Sequence, residues 1–378
     1  MLVPLQDLIG GIVHYIIPFL LMITPIVFFH ELGHFLAGRA CGVRIDTFSI
    51  GFGPAIVSWH DRLGTRWKIA WVPLGGYVKF FGDDNAASVP DRQRLEQLSA
   101  AERQVAFPLK PLWQRAIIVA AGPFANFILA IVILAGFLMV FGAYLAAPLI
   151  ATVVPGSAAA QAGFRPGDTV LSVNGTHVES FSDIQGFVLD RPGETLDIRV
   201  RRGSEVIPIS VTPRLTWEEL PGGRQKVGRL GIVGPTSAKY WKHVTYGPLA
   251  ATAEACRDTW SIIATTMDHL WRIVAGANKP TELSGVIGMT KLAGDVAAIS
   301  YISLFRLAAL ISISIGLVNL FPIPILDGGH LLYYGFEAVL GRPLGAKAQD
   351  LGFRLGLAVM VCLMLLAAWN DLSRLNLF

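Results

Sequence analysis

Four apolar runs constrain this chain more than any other feature of its sequence. They lie at about Leu8–Phe29, running on into His30–Gly38, at about Ala116–Phe141, near Leu304–Phe321 and near Leu355–Trp369. A helix needs about 20 apolar residues to cross the hydrocarbon core of a bilayer, and the fourth run is the shortest of the set. Composition agrees: 53% of residues are hydrophobic, only 15% are charged, and the mean hydropathy is +0.53. Soluble domains carry about 25% charged residues. The expected fold class is a polytopic α-helical membrane protein with about four transmembrane helices. The first run does not read as a cleaved signal peptide, since no Lys or Arg precedes it and no small-residue cleavage site follows.

Loop charge sets the expected orientation. The segment Arg39–Arg115 carries eleven Lys and Arg residues, and the positive-inside rule places it in the cytoplasm. The N-terminus and the long Ala143–Ser303 region then fall outside, and Arg342, Lys347 and Arg354 return the third loop to the inside. The formal net charge is +4, but no basic stripe with interleaved aromatics stands out, so no nucleic-acid partner is expected. Cys41, Cys256 and Cys362 are far apart and form no C-x-x-C pair, which argues against a disulfide framework or a cysteine zinc site.

Two stretches between the runs read as β-rich. Ile56–Trp59 and Trp67–Trp71 flank turn residues at Asp61–Gly64, the pattern of a hairpin, and Leu74–Val78 marks a further bend. The Trp, Phe and Gly content of this loop points to a hairpin dipping into the membrane, with an ordinary cytoplasmic hairpin as the alternative. The polar stretch Asp83–Gln104 reads as a loop. Farther on, Thr169–Val173, Thr195–Val200 and Val206–Val211 alternate with turn signals, and Ser157 and Gly163 are placed to cap and end a short helix. This spacing resembles one PDZ-like α+β domain, expected outside the cytoplasm, with some other small β-rich domain there as the alternative. Val244–Val274 is helical in pattern but carries Glu254, Arg257, Asp258, Asp268 and Arg272, which points to an amphipathic helix on the outer membrane surface, with a soluble helix packed on the small domain as the alternative.

The chemistry centres on His30-Glu31-Leu32-Gly33-His34. On a helix, positions i and i+4 share a face. Two imidazoles so placed can grip one metal, and the glutamate between them can take a proton from a water activated there. The motif continues an apolar run, where ionisable groups are costly and usually functional. A catalytic zinc takes three protein ligands. Asp327, in Asn319–His330 (NLFPIPILDGGH), is the expected third, because two prolines break the helix there and glycines permit close approach. His330 is a rival ligand, and Asp327 could instead cap the following helix. Asn126, within Gly122–Asn126, is a polar amide in hydrocarbon that could stabilise an oxyanion or bond a neighbouring helix; Gly122 would allow close helix approach. Asn319 has the same ambiguity, or could bond an extended substrate.

These motifs together resemble the site-2 protease family of intramembrane zinc metalloproteases, most closely the bacterial regulator-of-sigma-E type. The matching stretches are His30–Pro54, Ala121–Phe127, Ser284–Gly288, Asn319–Leu332 and Trp369–Arg374. The resemblance implies Zn2+ held by His30, His34 and Asp327, with Glu31 activating water. It implies a single-span membrane substrate of the anti-sigma-factor type, cut in regulated intramembrane proteolysis in the bacterial inner membrane. The active site would lie toward the cytoplasmic side, the β-rich loop would add the substrate as a strand, and the PDZ-like domain would gate access. The family's tandem-PDZ members have two such domains; this chain has room for one. The expected domain plan is a first transmembrane helix with the histidine motif (1–40), the β-rich loop (41–111), the second helix (112–142) and the PDZ-like domain (143–214). An amphipathic helix and linker (215–303), the third helix with its Asn319–His330 segment (304–342) and the fourth helix and tail (343–378) complete it. A metal transporter or a noncatalytic scaffold would also be membrane proteins, but neither explains a glutamate between the two histidines.

Overall fold

The computed structural model describes residues 10–83, 95, 97–189, 191–220, 223–274 and 285–374. The first nine residues, Ser284 and most of the expected Asp83–Gln104 loop lie outside that set. In chain order the elements open with a π-helical turn at Ile12–Ile16 and α1 (Ile17–Ala40), then β1 (Ile45–His60), β2 (Arg66–Phe80), α2 (Ala100–Val105) and α3 (Leu112–Phe141). A β-rich stretch follows: β3 (Ala143–Ala146), β4 (Thr152–Val153), α4 (Ala158–Ala162), β5 (Thr169–Val173), β6 (Thr176–His177) and α5 (Phe181–Leu189). It continues with β7 (Leu196–Arg202), β8 (Glu205–Val211), β9 (Arg214–Leu220), β10 (Gly223–Arg229), β11 (Ile232–Val233) and β12 (Trp241–Val244). Five helices close the chain: α6 (Pro248–Val274), α7 (Val286–Ile299), α8 (Tyr301–Asn319), α9 (Asp327–Leu340) and α10 (Ala346–Arg374). The chain divides into two compact units, one of Met1–Ala135, Thr252–Ala264 and Thr281–Phe378, the other of Gly136–Ala251 and Thr265–Pro280.

In the helical unit the apolar runs become helices of the expected kind. Val13–Ala40, Leu112–Phe141, Tyr301–Asn319 and Lys347–Ser373 are each long and apolar enough to cross a membrane. The fourth buries only 6% of its most apolar window against the rest of the protein, so protein packing does not account for its hydrophobicity. The first half of α1 packs through Met22 and Ile26 onto Ala293 of α7 and Leu304 and Ala308 of α8. Its second half packs through Phe35 onto Phe48 and Val78 of the hairpin and Ile118 of α3. Small residues bring the backbones together: a Cβ on Gly33 would overlap the Ala121 carbonyl oxygen of α3, and one on Gly316 would sit 2.9 Å from the Pro123 oxygen. Part of the expected polar loop is helical, because Ser99 and Glu102 form a reciprocal capping box that starts α2.

The hairpin turns where expected. The Asp61 carboxylate accepts from the Leu63 and Thr65 amides, and Gly64 takes a left-handed φ of +83°. The strands are longer than the sequence pattern indicates. Leu74–Val78 bends within β2 rather than ending it, so Phe48–Ile50 of β1 pairs with both Trp67–Ile69 and Gly76–Val78. The hairpin also presents Phe52, Ile56, Trp59, Trp71 and Leu74 exposed.

In the β-rich unit, β6-β5-β7-β8 form a four-stranded sheet whose alternating residues Leu196, Ile198 and Val200 are buried. Ser157 accepts from the Ala160 amide and Gly163 ends α4 at φ +87°, as their spacing indicates. The core takes in Phe181, Ile184 and Val188 of α5 and also Leu230, with Ile232 against it, so it draws on residues past 214. Asp168 is fully buried, and its carboxylate receives Arg202 through two charged hydrogen bonds of 2.8 and 2.7 Å.

Candidate metal centre

The centre is assembled from α1 and the first residue of α9. His30 and His34 lie one turn apart on α1, and the chain reverses after α8 through Leu320–Leu326 to present Asp327. The reversal is tight because Gly328 and Gly329 admit the Leu320, Phe321 and Ile323 carbonyls where a side chain would stand. Leu326, not Asp327, holds the N-cap position of α9, and no side chain caps it. The capping alternative for Asp327 is therefore not realised.

His30 Nε2 lies 3.3 Å and His34 Nε2 3.5 Å from Asp327 Oδ2, and the two Nε2 atoms are 3.3 Å apart. Among the described residues this is the one group of three or more such side chains whose donor atoms all lie within 4.8 Å of one another. The three side chains are 10–18% exposed, so solvent screens them little. His330 is not in the cluster, which leaves the rival-ligand reading without geometric support.

The donor set fits a zinc ion. His34 Nδ1 is 2.9 Å from the Ile118 carbonyl oxygen of α3. That carbonyl can only accept, so Nδ1 carries the proton and Nε2 turns its lone pair inward, the tautomer a metal requires. Asp327 Oδ2 is buried with no hydrogen-bond donor of its own among the described residues. Lone pairs facing one another in a shielded site repel unless a cation lies among them. Two imidazole nitrogens and a carboxylate oxygen are also zinc's own ligand types.

Around these atoms, Gly122 of α3 faces the His34 ring, and a Cβ there would overlap it. Gly122 thus makes room for an imidazole, where the sequence reading expects a close approach of helices. Asn126 is fully buried, with Nδ2 3.3 Å from His30 Nδ1. The structure therefore places it against the outer nitrogen of that imidazole, in the interhelical arrangement. Its Oδ1 has no partner among the described residues; turning the amide about its last torsion would offer that oxygen to a protonated Nδ1. Asn319 ends α8 half-buried and makes no side-chain hydrogen bond among the described residues. Glu31 faces the Val78 backbone amide, and its Cγ is 2.9 Å from the position a Cβ on Gly76 would take. The segment Gly76–Val78 therefore runs past this carboxylate. Sequence reasoning misses Ile118, whose contribution is a main-chain oxygen, and Arg115 and Glu337, an ion pair spanning 222 residues.

A model of peptidase family M50 matches residues 18–363 of the chain. The chain is 42% identical over 367 residues to "Putative zinc metalloprotease Atu1380" of Agrobacterium fabrum, covering 97% of each. It is 44% identical over 361 residues to the like-named R01501 of Rhizobium meliloti, covering 95% of this chain and 96% of that one. It is 42% identical over 391 residues to "Metalloprotease MmpA" of Caulobacter vibrioides, covering 97% and 98%. Among solved structures, the PDZ domain of the SdrC-like protein Lmo2051 from Listeria monocytogenes is similar at 17% identity and TM-score 0.20, over 24% of this chain and 87% of that one.

Proposed function

We propose, starting from the fact that this chain belongs to peptidase family M50, the site-2 zinc metalloproteases, that it hydrolyses peptide bonds of single-span membrane proteins. His30, His34 and Asp327 would hold the zinc and Glu31 would handle the proton. The observation that carries this assignment is the convergence of three inward-turned donors from helices almost 300 residues apart, with a carboxylate one residue from the first histidine.

Bound zinc supplies Lewis acidity, which lowers the pKa of water and polarises the scissile carbonyl. Glu31 accepts the proton as water attacks and returns it to the leaving amine. Ile118 and Asn126 hold the two imidazoles by their outer nitrogens, so neither ring needs to reorient during turnover. A helical substrate keeps its amides bonded internally, so it must unwind locally to be cut. Gly76–Val78 pairs on one side with Phe48–Ile50 and passes Glu31. A substrate segment added beside it as a strand would be held extended at the catalytic carboxylate. Asn319 would bond such a segment.

Positive-inside charge supports a bacterial inner-membrane placement with His30 toward the cytoplasm and the PDZ-like domain outside. In that orientation the domain would gate anti-sigma-factor-like substrates by size or tail, and the exposed apolar residues of the hairpin would face lipid. The ligand assignment is tested by the zinc content of purified variants. His34→Ala and Asp327→Asn should come out without zinc, and His330→Ala should keep it. Full zinc in Asp327→Asn would reject the third ligand.

A further inference from the structure

We infer that Arg115 and Glu337 are positioning residues for the metal centre: their ion pair fixes the helix that delivers Asp327 to the helix that orients His34. The inference rests on the ligand set proposed above. Asp327 is the first residue of α9, and among the described residues the backbone hydrogen bonds at that end are local. The Leu326 amide donates to the Ile323 carbonyl at 2.8 Å and the Gly329 amide to the Leu326 carbonyl at 2.9 Å, and neither ties that end to α3. The N-cap is bare, the preceding reversal contains two prolines, and Asp327 Oδ2 has no donor among the described residues. An α-helix is stiff, so its place along its own axis can be set from elsewhere on its length. Glu337 lies ten residues on, about 15 Å along the axis at 1.5 Å per residue.

There the guanidinium of Arg115 grips the Glu337 carboxylate with two hydrogen bonds, Nη2 to Oε1 at 2.5 Å and Nη1 to Oε2 at 3.2 Å. The Arg115 Nε donates to the Lys110 carbonyl at 3.0 Å, which locks the guanidinium plane to the start of α3. Tyr334 of α9 stacks its ring 4.9 Å from the guanidinium carbon. Both charged side chains are largely shielded, at 14% and 16% exposure. A planar fork held on three sides resists sliding of one helix past the other in a way that a point charge does not.

Arg115 sits one turn before Ile118, the residue whose carbonyl fixes His34. With Asn126 of the same helix against His30, all three ligands are thereby referenced to α3. A slip of α9 by one residue would move the Asp327 carboxylate by about 1.5 Å, more than metal coordination tolerates.

The test uses the full-length protein in detergent, with Glu337→Gln and Arg115→Lys beside the wild type. Asp327→Asn serves as the ligand reference, and Asp168→Asn as a variant weakened only in the β-rich unit. Zinc affinity is read by competition with a chelator, and the cobalt-substituted site is read by its visible absorption. Thermal midpoints are recorded for each. Glu337→Gln and Arg115→Lys should bind zinc about 10-fold or more weakly and should shift the cobalt bands, while Asp168→Asn lowers the midpoint and moves neither reading. If either clamp variant is lost to misfolding, the other carries the comparison. Wild-type zinc affinity and cobalt bands in the clamp variants, whatever their midpoints, would overturn the inference. Wild-type affinity in Asp327→Asn would instead reject the ligand set, a separate and distinguishable outcome.

Discussion

Gly122 of α3 stands directly against the imidazole of His34: a Cβ at Gly122 would overlap Nε2, the atom that turns toward Asp327. The ring cannot retreat, because its Nδ1 is tied to the Ile118 carbonyl one turn earlier on α3. Gly122→Ala should therefore overpack the site at about 1–3 kcal/mol and weaken zinc binding by about 10- to 100-fold. Zinc titration of the purified variant checks this. Binding at wild-type strength would mean the ring has room that the packing denies it.

The Asp168–Arg202 pair predicts an acid limit for the β-rich unit. Burial by itself would raise the Asp168 carboxyl, but the Arg202 hydrogen bonds and charge and the Arg165 amide outweigh it and hold the group below the usual carboxylate range. A carboxyl depressed in the folded state contributes stability above its unfolded value of about 3.9, lost as pH falls toward the folded value. Hydrogen exchange of Thr169–Val173 in the whole protein should show constant opening stability from neutral pH to about pH 5 and a decline below about pH 4. Asp168→Asn should open more readily at neutral pH and lose that acid dependence. An unchanged decline in the variant would assign it to another group.

Asp371 of α10 reaches the start of α7, where its carboxylate accepts from the Gly285 amide at 3.1 and 3.0 Å and from the Gly288 amide at 2.9 Å. It does across two helices what a capping box does within one. Asp371→Ala should destabilise the first turn of α7 by about 1–2 kcal/mol, visible as faster exchange at Gly288–Thr290. Exchange at the wild-type rate would show that other groups satisfy those amides.

How much of this was legible beforehand follows from how local each signal is. His30, Glu31 and His34 declare themselves through a spacing of four on a helix, and Asp327 through a carboxylate between a proline-broken segment and two glycines. The apolar runs and the Asp61–Gly64 turn are local as well. Ile118 acts through a main-chain oxygen that any residue type would supply, so no pattern marks it. The partners of Gly122 and Asp371 come from distant segments, and a glycine or an aspartate alone does not name what it faces. Residues Phe181, Ile184 and Val188 of α5 do carry a readable helical spacing, although turn signals dominate that region. The doubled pairing of Phe48–Ile50 depends on a bend inside β2 that glycines permit but do not dictate.

The central claim is that Glu31 moves the proton in a zinc-dependent peptide cleavage. It is tested most directly by incubating purified wild type and Glu31→Gln with a single-span membrane reporter and recording the zinc content of each. The account predicts equal zinc in both proteins and cleavage by the wild type that falls by about 100-fold or more in the variant. Cleavage by Glu31→Gln at the wild-type rate, with zinc present in both, would contradict it.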